Sequence, residues 1–164
     1  MMAGIYHWFP KMFGRMMDTR LGTIHFWMTF IGVYMVFFPM HYIGIAGFPR
    51  RYYLWSNFEV FDILANVNTF ISIAAFITFS SQLIFAFNFF YSMFKGKKAT
   101  ANPWRSNTLE WTTPIVPGHG NWEGAIPEVH RWPYDYSKPG AEEDFIGQHI
   151  PLSDDEAAEL AAGH

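Results

Sequence analysis

The chain has no cysteine among its 164 residues. Disulfides, iron–sulfur clusters and thiolate zinc sites are thereby excluded within it. Charge is scarce too, at 15% of residues, and the stretch Leu21–Pro39 carries none. The formal net charge of -3 gives no electrostatic reason to expect nucleic-acid binding. No phosphate loop, no Ser-His-Asp arrangement and no pair of acids within the apolar segments is present. Seven histidines invite a metal hypothesis, but no two stand at a helical ligand spacing. His25 and His41 lie about 24 Å apart by helical rise and cannot share an ion. His7, His119, His130, His149 and His164 are scattered. Each histidine reads as a hydrogen-bonded interface residue, and the expectation is that this chain holds no metal and performs no chemistry unaided. The amino-terminal residues lack the basic leader and small-residue cleavage pattern of a signal peptide. They read instead as the last turns of a helix ended by Pro10, with the remainder of that helix belonging to another polypeptide or lost from this one.

What the chain does have is aromatic residues, 20% of the total, with 18 phenylalanines. Mean hydropathy is near zero at +0.05, but that average mixes two apolar blocks with a polar tail. The first block, Leu21 to about Ile45, is long enough to cross a bilayer core as a helix. Gly32 permits close helix packing, and Pro39 is a kink point. The second block runs from about Val67 to Phe94. It carries Asn66, Asn68, Thr69, Ser72, Ser80, Ser81, Gln82 and Asn88 on or beside it, side chains that should face protein rather than lipid. A loop from Tyr52 to Asp62 joins the two.

Lys95-Gly-Lys-Lys98 follows the second block and marks the cytoplasmic side by the positive-inside rule. A hairpin then places Lys11, Arg15 and Arg20 on that side as well, and puts Arg50 and Arg51 on the opposite face. Arginine is disfavoured there by topology. The two guanidiniums either snorkel to lipid phosphates or hold a buried anion through fork-shaped donors. Three segments result: residues 1–20, a helix end and cytoplasmic connector; 21–95, a transmembrane hairpin; and 96–164, an extended cytoplasmic tail. The tail is rich in Pro and Gly and shows no apolar period. Trp104, Leu109, Trp111, Trp122, Trp132, Tyr134 and Tyr136 are its expected docking residues. Its acids cluster in Glu142–Asp144 and Asp154–Glu156, and Ser153 with Glu156 predicts a capping box at a helix start.

Several separate motifs then agree with one family in order and spacing. Tyr6-His-Trp-Phe-Pro-Lys-Met-Phe-Gly-Arg15, Gly22-Thr-Ile-His-Phe-Trp27, Phe37-Phe-Pro-Met-His41, Gly44-Ile-Ala-Gly-Phe-Pro-Arg-Arg51, Ala101-Asn-Pro-Trp104 and Thr108-Leu-Glu-Trp111 resemble the carboxy-terminal part of subunit I of haem–copper oxidases. The resemblance covers residues 4–114. It implies an all-α membrane fold in which the two blocks are the last two of twelve transmembrane helices and the amino terminus finishes the tenth. It also implies that Arg50 and Arg51, in Pro49-Arg50-Arg51, bind haem propionates, and that Phe37 and Met40 lie against the low-spin haem. Carboxylates are also the anions that two arginines beside a membrane helix would seek.

By the same resemblance, the two haems and the copper are ligated by residues outside this chain. The partners are then the remainder of subunit I, subunits II and III, cytochrome c as electron donor and the lipid bilayer, with no nucleic acid. The implied role is to complete the haem pocket of a proton-pumping oxidase in a bacterial inner membrane rather than a mitochondrial one. A quinol oxidase is the second reading, and a non-catalytic membrane scaffold the third.

Overall fold

The computed structural model describes residues 1–51, 53–54, 59–136 and 143–162. Four α-helices form: α1 (Met2–Phe13), α2 (Thr19–Ile45), α3 (Ala65–Lys95) and α4 (Asp154–Ala162). Among the described residues, two 3-10 turns, Glu59–Leu64 and Leu109–Trp111, complete the regular structure. Among the described residues there is no strand, only the isolated bridges Arg15–Lys98 and Tyr136–Phe145. The linker expected at 52–62 lies outside the described residues at 52 and 55–58, and from Glu59 it is the 3-10 turn. Contacts divide the chain into two units, Asp18–Lys95 and Met1–Met17 with Gly96–His164.

In the first unit, α2 and α3 are long and apolar enough to cross a membrane, with mean hydropathy of 1.6 and 1.9 over their best windows. Asp18 starts α2 as its N-cap, its carboxylate accepting from Leu21 N. The usual pattern of a water-soluble helix is inverted here. Buried positions are His25, Gly32 and Ile43 on α2 and Ala74, Ser81, Asn88 and Ser92 on α3. Phe26, Trp27, Phe30, Phe76 and Phe79 face outward. Where lipid surrounds two helices there is no hydrophobic drive to associate, and small side chains and hydrogen bonds form such contacts.

The contact repeats every seven residues: Asp18, His25 and Gly32 on α2, Ala74, Ser81 and Asn88 on α3. That period is the seam of two helices coiling left-handed. At its centre Gly32 backs onto Thr78, whose Oγ1 would lie 2.1 Å from an added Cβ. The close approach expected of Gly32 is therefore present. An apolar groove of about 230 Å³, lined by Trp27, Ile31, Met35, Ala74 and Ile77, opens beside this small-residue contact.

Next along the seam, Thr29 Oγ1 and Ser81 Oγ are 2.9 Å apart, and Gln82 Nε2 donates to Thr29 Oγ1 at 3.1 Å. His25 Nε2 sits 3.4 Å from Gln82 Oε1. At the end bearing the lysines, Asp18 N donates to Asn88 Oδ1 and Ser92 Oγ, while Asn88 Nδ2 returns a bond to Asp18 O. Ser81, Asn88 and Gln82 thus face protein as expected. Ser72 and Ser80 are exposed and bond only to carbonyls of their own helix. Asn88 and Ser92 are fully buried, so Asn88→Leu leaves Asp18 N and O short of partners. A loss of about 2 kcal/mol from the hairpin is expected, read as a lower melting temperature of the assembled complex.

The second unit brings both ends of the chain together. α1 does not stop at Pro10 but runs on to Phe13. Proline's fixed φ is already helical and it lacks only one donor. Gly14, left-handed at φ 66, then caps the helix by donating to Pro10 O at 2.9 Å. Met16 N donates to Lys97 O, Ala99 N to Gly14 O, and Arg15 Nη1 to Gly96 O. Lys11 is buried and donates to Thr113 O at 2.6 Å and Pro114 O at 3.1 Å, with its ammonium 5.4 Å from the Trp111 ring. Burial pulls its pKa below the usual lysine value, and the nearby Glu110 charge opposes that shift. His7 stacks on Trp104, whose Nε1 donates to His7 O.

Of the expected docking residues, Trp111 is buried, and Trp122 bonds Thr112 through its indole. Trp132 and Tyr134 face outward in this chain. The polar frame around Arg131 and Gln148 holds their segment. Gln148 ties three segments: its N donates to Asn107 O, its Oε1 accepts from Leu109 N, its Nε2 donates to Arg131 O, and its O accepts from His130 N.

Arg131 satisfies its whole fork. It donates to Ile150 O and Pro151 O, to Asp135 Oδ2, and to both oxygens of Glu156 at 2.7 and 2.6 Å. These partners raise its pKa further, the Glu156 hydrogen bond foremost. Glu156 also closes the capping box expected with Ser153, accepting from Ser153 N at 2.9 Å while Ser153 Oγ accepts from Glu156 N. The Arg131 side chain is 4% exposed, so Arg131→Ala takes the guanidinium from two carboxylates and leaves a hole in this buried frame. It should cost about 3 kcal/mol, read as faster hydrogen exchange across residues 148–158 in the intact complex.

Candidate functional site

The far end of the hairpin from Lys95 is built by the exit from α2. Gly47 adopts φ 89, a conformation suited to glycine. Gly47 N donates to Gly44 O at 3.1 Å and Phe48 N to Ile43 O at 3.2 Å. This paired closure satisfies carbonyls that a helix end leaves bare and reverses the chain sharply. Pro49-Arg50-Arg51 follows directly. Arg51 itself is left-handed at φ 57, an uncommon state for a side chain of its size.

Arg50 and Arg51 are both exposed, and among the described residues neither forms an ion pair. Phe37 and Met40 are half-exposed at 55% and 48%, outside the seam with α3. Three residues apart, they share one side of α2, about 12 and 7 Å below its end at ~1.5 Å rise per residue. All four expected residues therefore lie toward the same end of the hairpin: two exposed apolar side chains in the last turns of α2 and two exposed arginines just beyond it. His41 lies on the same helix, its Nδ1 2.8 Å from Phe37 O. A carbonyl only accepts, so that nitrogen carries the proton.

Among the described residues no three of His, Cys, Asp and Glu come together where they could hold a metal ion. The polar seam of Asp18, His25, Gln82, Asn88 and Ser92 was not anticipated as a unit. Its signal is the seven-residue spacing, which individual polar residues do not reveal.

The two hairpin helices, small and polar in their seam and aromatic outside it, are long and apolar enough to cross a membrane, and two exposed arginines with no ion pair among the described residues follow the end of α2. The chain belongs to the subunit I family of haem–copper oxidases. Residues 1–77 match the family described as cytochrome C and quinol oxidase polypeptide I. The chain is 49% identical over 152 residues to an alternative cytochrome c oxidase subunit 1 of Bradyrhizobium diazoefficiens, covering 92% of this chain and 26% of that protein. It is 44% identical over 135 residues to cytochrome c oxidase subunit 1 of Thermostichus vulcanus, covering 82% of this chain and 23% of the relative. A Synechocystis relative of the same name is 43% identical over 135 residues, again 82% and 23%. The chain thus spans about a quarter of the length of these curated relatives.

Proposed function

We propose that this chain supplies the closing portion of subunit I in a cytochrome c oxidase. Its α2 and α3 are the last two of a twelve-helix bundle, and Arg50 and Arg51 hold haem propionates. The family implies haem, and the residues at this end fit its acid edge. Two exposed guanidiniums without a carboxylate partner among the described residues follow the end of α2, whose last turns carry Phe37 and Met40, side chains that fit the apolar body of a porphyrin. That unpaired couple carries the reading.

When bound, the haem supplies electron transfer toward oxygen. This chain orients it, neutralises its acid arms through charge-assisted bonds, and raises its affinity for an electron by positive charge. Iron and copper ligands come from the remainder of subunit I. Subunits II and III complete the complex, cytochrome c donates electrons, and protons are pumped outward across a bacterial inner membrane. The names of the relatives favour cytochrome c over quinol as donor. Turnover of the purified complex decides between them: reduced cytochrome c should be oxidised rapidly, whereas activity with quinol alone defeats the assignment. A non-catalytic scaffold predicts no haem with the complex. Haem should co-purify with this chain, and its absence would remove the reading.

A further inference from the structure

Four aromatic rings of the C-terminal unit point outward. Trp132 is 68% exposed, Tyr134 66%, Tyr136 48% and Phe145 40%. The Trp132 and Tyr134 rings are 5.8 Å apart, and those of Tyr136 and Phe145 5.6 Å across a backbone bridge. The segment is held from beneath by Arg131, which clamps Asp135 between the two tyrosines. Ring positions are therefore set before any partner arrives, which lowers the cost of binding. Exposed Trp and Tyr on a fixed frame are the residues that dominate protein interfaces.

Charge selects the partner. Between residues 99 and 164 there are eleven Asp or Glu against three Lys or Arg. Glu143, Asp154 and Asp155 are exposed. Such a surface is repelled by anionic lipid headgroups, so the bilayer itself is a poor occupant. Residues 99–164 follow directly on Lys95, Lys97 and Lys98, which mark the cytoplasmic side. Neighbouring membrane proteins carry their excess Lys and Arg in loops on that same side. Aromatic faces beside carboxylates bind such cations twice over, by ring quadrupole and by ion pairing.

We propose that the Trp132–Tyr134–Tyr136–Phe145 surface docks a Lys- and Arg-rich cytoplasmic segment of a companion membrane protein. The proposal rests on the oxidase reading for the side of the membrane and for the presence of companions. It is tested in the intact complex in its native membrane, with the photocrosslinker p-benzoylphenylalanine in place of Tyr134 and mass spectrometry of the joined peptides. The expected product is a crosslink to a membrane protein's segment in which Lys and Arg outnumber Asp and Glu. Its yield should fall several-fold in high salt and about tenfold with Trp132→Ala. Crosslinks only to lipid, to a second copy of this chain, to an acidic segment or to a water-soluble protein overturn it. So does no crosslink at all, or a yield indifferent to salt. Haem content of the same preparation is measured alongside, so that failure of the oxidase reading is separated from failure of this surface.

Discussion

Replacing both arginines, Arg50→Ala with Arg51→Ala, should lower the midpoint potential of the complex's haem by tens of millivolts and shift its visible absorption. The cause is electrostatic. The reduced haem carries one more negative charge than the oxidised form, and nearby positive charge stabilises it. About 1 kcal/mol per guanidinium at an effective dielectric near 20 corresponds to ~40 mV for one electron. Lysine at both positions keeps the charge but loses the planar fork. The Arg50→Lys, Arg51→Lys variant should therefore recover most of the potential but less of the thermal stability. A purely structural role for the turn would move stability and leave the potential where it was. An unchanged potential in the alanine variant, with the complex assembled, would mean these side chains serve only lipid or solvent.

The second large effect is expected at the hairpin's closest approach. Gly32→Ala places a methyl 2.1 Å from Thr78 Oγ1 and 3.0 Å from Thr78 Cβ. Rotating the hydroxyl away breaks its bond to Ala74 O, and the Cβ contact remains after rotation. The helices must then part, loosening the neighbouring Thr29–Ser81–Gln82 bonds. Overpacking of this kind costs about 1–3 kcal/mol, and the loss of seam bonds adds to it. Gly32→Leu should prevent assembly of a haem-loaded complex. The pair Gly32→Ala with Thr78→Gly removes the clash and should restore most of the stability. If the double variant is no better than Gly32→Ala alone, the close approach is not where the damage arises.

The two long helices were legible because uncharged length is a strong signal: Leu21–Ile45 and Val67–Phe94 fall within α2 and α3. Gly32 and the Ser153–Glu156 box were legible because each is a local rule with one geometry. Pro10 misled, since a proline near a helix end can lie inside the helix when a left-handed glycine caps it one turn later. The partners of Lys11 lie more than a hundred residues away at Thr113 and Pro114. The fork of Arg131 depends on carbonyls at Ile150 and Pro151. Backbone acceptors have no sequence signature, so such joints emerge only from the folded chain. For the arginine turn, sequence supplied the residues, and the structure adds the Gly47 reversal and the left-handed Arg51 that present them.

The decisive measurement is a structure of the assembled oxidase with its haem in place, determined by cryo-electron microscopy at side-chain resolution. A guanidinium of Arg50 or Arg51 within hydrogen-bonding distance of a haem propionate, with Phe37 or Met40 against the porphyrin, is the expected result. Both guanidiniums on lipid headgroups or solvent, with every propionate held by other residues, would contradict it.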